Sequence, residues 1–149
     1  MRKTKLYISG GGTLMQNATS NRSLRYYLMS IRMAHAAGNM VMLYGCGIGP
    51  IRGAGSRRRT ARVLDRCADL ITLRDDKCGQ ELAAIGVSKP EWHITADPAL
   101  LIDQAPEEAL QGLYAQLGLE EGRHYAMFVL RPWQNFSAHV QDFAQAAQW

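Results

Sequence analysis

The stretch Met40-Val41-Met42-Leu43-Tyr44, running into Gly45-Cys46-Gly47-Ile48-Gly49-Pro50, decides the fold. An unbroken apolar run of strand length suits a strand buried on both faces. The glycines and proline after it end it in a loop. The same grammar repeats on either side. Leu6-Tyr7-Ile8-Ser9 stops at Gly10-Gly11-Gly12, Leu70-Ile71-Thr72-Leu73 stops at Arg74-Asp75-Asp76, and Trp92-His93-Ile94-Thr95 stops at Asp97-Pro98. Helical stretches lie between these runs. From Ser20 to Ala37 the residues Leu24, Leu28, Ile31 and His35 recur at steps of three and four, the spacing of one helix face. Ser20 or Asn21 caps its start and Gly38 follows its end. A second helix covers Arg57 to Ala68, with Ala61, Leu64 and Ala68 inward, and a third covers Lys77 to Ile85 and stops at Gly86. The order β-α-β-α-β-α-β predicts an α/β fold, a parallel Rossmann-like sheet with helices on both faces and right-handed crossovers. Ligands in such sheets sit at the carboxyl ends of the strands. Gly10–Gly12, Gly45–Pro50, Arg74–Asp76 and Asp97–Pro98 all fall on that rim.

After Ile102 the character changes. Asp103 to Gly122 is acidic and holds one helix, from about Pro106 to Leu117; Tyr125 to Leu130 reads as a fifth strand, followed by Arg131-Pro132-Trp133 and a terminal helix. The chain thus divides into 1–103, 104–122 and 123–149. Its 149 residues, 47% hydrophobic and 20% charged, describe a globular chain too short for a large two-domain enzyme. A net charge of +4 leans toward anionic ligands but is too small to indicate nucleic-acid binding. Cys46, Cys67 and Cys78 are odd in number and widely spaced, without a zinc pattern, and read as reduced, buried thiols. The apolar run after the basic start is only Leu6-Tyr7-Ile8, too short for a signal peptide, and no stretch has membrane-span length. These features point to a cytoplasmic location.

The rim residues carry the candidate chemistry. Gly10-Gly11-Gly12 follows a strand and precedes a helix, where bare backbone can approach an anion; the alternative is a plain tight turn. The triplet fits neither a dinucleotide nor a Walker pattern. Gly47-Ile48-Gly49-Pro50 shapes a ligand wall or makes a turn that needs positive φ. Arg74, at the end of a central strand, presents a planar fork to phosphate or carboxylate, or pairs with a neighbouring carboxylate. Asp75 and Asp76 cap the next helix, and either also orients Arg74. Asp97 caps a turn or acts as a base on a sugar hydroxyl. Arg57-Arg58-Arg59 reads as a solvated face, His35 and His93 as packing residues, and Trp133 as core or a stacking platform.

Taken in order, Ile8–Gln16, Ser23–Leu28, Leu43–Pro50, Ile71–Asp75 and Thr95–Ala99 resemble the polysaccharide pyruvyl transferase family, nearest to the bacterial subgroup that modifies cell-wall polysaccharides. Val129-Leu130-Arg131-Pro132-Trp133 resembles the opening strand of that family's second domain. The resemblance implies a two-domain, glycosyltransferase-B-like architecture. Residues 1–103 are then the later part of an N-terminal Rossmann-like domain, 104–122 a linker region with a helix, and 123–149 the start of a second, truncated Rossmann-like domain. It implies transfer of the pyruvyl group of phosphoenolpyruvate onto two hydroxyls of one sugar, giving a ketal and phosphate. No cofactor is implied, and phosphoenolpyruvate is the donor substrate. The acceptor implied is an N-acetylmannosamine residue of a lipid-linked polysaccharide precursor, met at the inner face of the membrane without a transmembrane segment.

Arg74 matches the donor-binding arginine of the Thr-x-Arg-Asp motif. Gly10, Gly11, Gly12, Gly47 and Gly49 match the glycine loops that line the substrate cleft, and Asp97 matches the Asp-Pro motif as the catalytic candidate; no metal site is implied. The family carries more sequence on both sides, so this chain reads as a central fragment, inactive alone. Two other classes stay open: a sugar-nucleotide glycosyltransferase of similar fold, and a non-enzymatic domain binding a polyanion through Arg57–Arg59.

Overall fold

The structure is a computed structural model that describes residues 4–120, 122–130 and 136–148. It contains two compact units, Met1–Ile102 and Asp103–Trp149.

The first unit is the parallel α/β sheet that the sequence predicts. Its strands are β1 (Leu6–Gly10), β2 (Met40–Cys46), β3 (Leu70–Leu73) and β4 (Glu91–Ile94), joined by helices α1 (Asn21–Ala36), α2 (Ala54–Cys67) and α3 (Asp76–Ala84). The strand order is β1-β2-β3-β4 and every pair is parallel. The predicted caps hold for α1 and α3, while α2 begins at Ala54, three residues ahead of the expected Arg57. Ser20 Oγ accepts the Ser23 N–H at 3.0 Å, and Asp75 Oδ1 accepts the Cys78 N–H at 2.8 Å. Each satisfies a donor that the first helical turn leaves free.

The sequence predicts helices on both faces, whereas in this unit they lie on one. Register puts Tyr7, Val41, Ile71 and Trp92 on a common face with Ser9, Leu43, Leu73 and Ile94. Val41, Leu43, Ile71 and Leu73 are fully buried there. Tyr7 donates from its hydroxyl to Ser30 of α1 at 3.0 Å, which marks this as the α1 side. Against it pack Leu24, Leu28, Ile31 and Ala34 of α1, and Val63 and Leu64 of α2. A Cβ on Gly79 of α3 would meet Trp92 and Ile94 on the same face. The reason is topological. Right-handed crossovers that always add the next strand on the same side stack every helix on one face. Coverage of the other face requires a reversal of strand order, which β1-β2-β3-β4 does not contain.

The opposite face therefore stays open, with Leu6, Ile8, Met40 and Tyr44 exposed. Met40–Tyr44, expected to be buried on both sides, is buried only at alternate residues. Two smaller expectations also change. The buried stripe of α1 ends at Ala34, a step of three from Ile31, and His35 lies outside it. His35 and His93 are both exposed rather than packed. All three cysteines are free and buried, as the sequence predicts.

The second unit holds α4 (Glu107–Leu117) and α5 (Val140–Ala146). Gly118 ends α4 in the left-handed conformation that glycine adopts without steric cost. Residues 123–130 form neither helix nor strand, so the expected strand over Tyr125–Leu130 is not made. A strand needs a neighbour for its ladder, and the described residues of this unit offer none. Arg131, Pro132 and Trp133 lie outside the described residues.

Candidate active site at the carboxyl rim of the sheet

The ends of β1, β2 and β3 are tied together before any side chain is considered. The Gly47 N–H donates to the Gly12 carbonyl at 2.9 Å, and the Gly49 N–H donates to Met15 at 2.8 Å. Met15 and Ile48 form a parallel bridge between the two glycine loops. On the β3 side, Thr72 Oγ1 accepts the Gly45 N–H at 2.7 Å, and Cys78 Sγ accepts the Ile48 N–H at 3.2 Å. These bonds satisfy buried loop amides that would otherwise cost free energy, and they fix the loops relative to one another.

Small residues are required where the loops cross. Gly11 and Gly12 have φ values of 75° and 64°, the region that L side chains avoid. Gly47 differs: its φ is ordinary, but a Cβ would fall 2.5 Å from Thr13 Oγ1. At Gly45 both constraints apply, since φ is 53° and a Cβ would overlap the Pro98 ring. That contact seats the Asp97-Pro98 turn against the end of β2.

Arg74 sits at the centre of this rim. Its Nη2 donates to Thr13 Oγ1 at 2.8 Å, from the β1 loop. Its Nε lies 3.5 Å from Asp75 Oδ2, and its Nη1 lies 3.6 Å from Asp97 Oδ2. The last two are loose ion pairs rather than tight hydrogen bonds. One guanidinium is thus oriented by a hydroxyl and two carboxylates from three different loops, with 32% of its side chain exposed.

The carboxylates are themselves anchored. Asp75 caps α3, and its carboxyl is held below the usual range, first by its hydrogen bonds from Cys78 and only then by Arg74. Asp97 Oδ1 accepts the Ala99 N–H at 3.0 Å and caps the short 3-10 turn Pro98–Leu101. The carboxylate pairing expected for Arg74 and the capping expected for Asp75 and Asp97 are both present, and the two caps also stand beside the guanidinium.

Beside Arg74 opens a cleft of about 330 Å³, bounded by Thr13, Gly49, Asp75, Lys77 and Glu81 among others. Lys77 was not singled out by the sequence, yet it brings a second cation to the wall that holds Arg74. Thr13 carries no local signal in the sequence, since its contact with Arg74 spans 61 residues. Glu81 belongs to the scaffold. Its Oε1 accepts from Arg57 at 2.8 Å and from the Ile51 N–H at 3.2 Å, which pins the loop after Pro50. Arg57 is thereby removed from the solvated triplet, while Arg58 and Arg59 stay exposed.

Asp97 also borders a separate recess of about 200 Å³ with Tyr44, Thr72, Thr95 and Leu100. Gly10 and Gly11 meet the end of β2 instead; Gly11 donates its N–H to the Tyr44 carbonyl at 3.4 Å. The structure therefore gathers Gly12, Gly47, Gly49, Arg74 and Asp97, and leaves Gly10 and Gly11 as the turn that aims Gly12 and Thr13. Among the described residues, no group of three His, Cys, Asp or Glu side chains is arranged to hold a metal ion. No helix among them is long and apolar enough to cross a membrane.

A parallel α/β unit whose strand ends bring one oriented arginine between glycine loops has its candidate site where open α/β sheets receive ligands, at the carboxyl edge. The family comparison then identifies it. The family model for polysaccharide pyruvyl transferase matches residues 1–145, and the chain belongs to that family, a family of transferases. Comparison with curated proteins finds no match, and comparison with solved structures finds none.

Proposed function

We propose that this protein transfers the pyruvyl group of phosphoenolpyruvate onto two hydroxyls of one sugar, with Arg74 as the donor-binding cation and Asp97 as the base. The observation that carries the reading is the position of Arg74. It stands at the carboxyl end of a central strand, between two glycine loops, with its fork fixed from three sides. Phosphoenolpyruvate bears a phosphate and a carboxylate, and planar bidentate recognition of such groups is what guanidinium supplies. Lys77 on the same cleft gives a second positive charge for an anion with two acidic groups.

The chemistry sets the order of events. Carbon 3 of the donor gains a proton from a general acid of the intact enzyme, and carbon 2 becomes electrophilic. A sugar hydroxyl adds to carbon 2 and gives its proton to Asp97. The bond from carbon 2 to the phosphate oxygen breaks, Arg74 and Lys77 stabilise the departing phosphate, and the second hydroxyl closes the ketal as its proton passes to that phosphate. The enol phosphate is already an activated donor, so the reaction draws on no cofactor. The acceptor proposed is an N-acetylmannosamine residue in a lipid-linked precursor of a cell-surface polysaccharide, reached from the cytoplasmic side. The work is shared with a second domain of a glycosyltransferase-B-like architecture.

The arrangement also poses a constraint. One guanidinium faces two carboxylates, so an incoming anion must displace one of them from Arg74 to gain its full attraction. The 3.6 Å pair with Asp97 is the looser contact and the one expected to open.

The test is to incubate the intact enzyme with carbon-labelled phosphoenolpyruvate and an N-acetylmannosamine-bearing acceptor. Label in a ketal on the sugar, with one phosphate released per ketal, supports the reading. Consumption of a nucleoside diphosphate sugar, with phosphoenolpyruvate untouched, overturns it in favour of glycosyl transfer.

A further inference from the structure

The α1–α2 layer, on the helical side of the unit, carries a feature that the pyruvyl-transfer reading does not use. Five arginines line one open groove of about 590 Å³ between these helices: Arg25 and Arg32 from α1, and Arg59, Arg62 and Arg66 from α2. Like charges gathered this way repel one another, and proteins usually relieve that with acidic partners. Among the described residues, none of the five makes an ion pair or a side-chain hydrogen bond. The nearest acids in sequence are engaged elsewhere: Asp65 accepts the N–H groups of Ser88 and Lys89, and Asp69 accepts that of Val41. The five charges therefore await an external anion.

Their layout says what kind. Arg25 and Arg32, and likewise Arg59 and Arg66, are seven residues apart, about 10 Å along a helix. Packed helices stand about 8–10 Å apart. That area is too wide to converge on one phosphate and suits several anions spread over a plane. Arg32 and Arg66, from different helices, both oppose by their charge the upward push that burial gives the Cys67 thiol, which puts both near the groove floor.

Aliphatic side chains lie among the cations. Leu28 and Val63 floor the groove, and Met29, 51% exposed, lines it. An adjoining cleft continues along Arg32 and Met33, and Met33 is 55% exposed. Nucleic-acid surfaces interleave their cations with aromatic platforms and amide groups. Methionines beside arginines gain instead by entering an apolar phase, the pattern of a surface that lies at a membrane interface. Clusters of four to eight basic residues on such a face attract anionic lipid.

We propose that the α1–α2 face is a docking surface for an anionic lipid bilayer, with the five arginines on lipid headgroups and Met29 and Met33 entering the acyl boundary. The vesicle assay contains no phosphoenolpyruvate and no sugar, so its outcome is independent of the donor assignment.

The experiment is co-sedimentation of the chain with vesicles of phosphatidylcholine alone and with a third phosphatidylserine. Binding is expected only to the anionic vesicles and should fall steeply as salt shortens the Debye length from about 10 Å to about 3 Å. Each arginine near an anionic surface contributes about fivefold in affinity, so Arg59→Ala/Arg62→Ala should weaken binding about 25-fold. The charge-matched control Arg22→Ala/Arg52→Ala, outside the groove, should weaken it much less. Met29→Ser/Met33→Ser should weaken it while leaving its salt dependence unchanged. All of these side chains are solvent-facing, and a thermal melt confirms that each variant is folded.

Three results would overturn the proposal. They are equal binding to neutral vesicles or none to anionic ones, equal losses in the groove and control pairs, and tighter binding to a single-stranded oligonucleotide than to vesicles at matched phosphate concentration.

Discussion

Gly47→Ala separates the site from the fold. An ideal Cβ at Gly47 falls 2.5 Å from Thr13 Oγ1, 3.0 Å from Thr13 Cβ and 3.1 Å from Arg74 Nη2. The backbone accepts alanine, because φ at Gly47 lies outside the left-handed region. The strain therefore falls on the Thr13–Arg74 pair, whose 2.8 Å bond must open for the methyl group to fit. A hydrogen bond to a charged group is worth about 1.5–3 kcal/mol. Arg74 is about a third exposed, so solvent screening keeps the value toward the lower end. Replacing glycine returns about 0.4–1 kcal/mol by restricting the unfolded chain. The net loss of stability should be only about 0.5–2 kcal/mol. Arg74, released from one of its three holds, should lose about tenfold in donor affinity, equivalent to about 1.4 kcal/mol. The control is Gly55→Ala in α2, where a Cβ meets nothing within 4 Å; it should be neutral or slightly stabilising and leave donor binding unchanged. Urea unfolding and calorimetric titration of the intact enzyme with phosphoenolpyruvate measure both quantities. Unchanged donor affinity in a folded Gly47→Ala protein would refute the claim that Thr13 positions Arg74 for the donor.

Three further outcomes follow from the same geometry. Gly45→Ala should destabilise more than Gly47→Ala, by about 2–4 kcal/mol, because positive φ and overlap with Pro98 add; a urea midpoint equal to wild type would contradict this. Asp97→Asn should tighten phosphoenolpyruvate binding, by removing a carboxylate that competes for Arg74, while cutting turnover by at least a hundredfold; weaker donor binding with normal turnover would remove Asp97 from the base role. Burial, with Cys78 adding to it, pushes the Cys46 thiol up to about 12 from an ordinary 9.0. A folded value above the unfolded one means that this contribution to stability is complete below pH 9 and is lost as pH rises toward 12. Unfolding midpoints should drop across that window, with a shallower drop in Cys46→Ala; identical slopes for the two proteins would contradict it.

Much of the sheet was legible because its signals are local. The apolar runs end in glycines, prolines or charged residues, and two of the helices, α1 and α3, open on side chains that cap them, Ser20 and Asp75. Coverage of the faces was not local. It depends on the sense in which strands are added, and no five-residue window around Met42 contains that information. The shift from His35 to Ala34 arose because a helix face allows steps of three or four, and only packing against Val41 and Leu43 chooses between them. In the site, Arg74 stood out because a charge directly after a central strand is unusual, and Asp97 because it stands in the Asp-Pro turn that follows the fourth strand. Thr13 and Lys77 did not stand out, since their importance comes from what the fold brings beside them. The fifth strand failed for a related reason: Tyr125–Leu130 has strand composition, but composition does not supply a pairing partner.

The most direct test of the account is calorimetric titration of phosphoenolpyruvate into the intact enzyme as wild type, Arg74→Lys and Arg74→Ala. Loss of a charge-assisted contact in a partly desolvated site costs about 2–5 kcal/mol, so Arg74→Ala should bind the donor at least tenfold more weakly with its fold intact. Arg74→Lys should recover part of that loss, because an ammonium keeps the charge without the planar fork. A folded Arg74→Ala protein that binds phosphoenolpyruvate as tightly as wild type would contradict the assignment of this rim as the donor site.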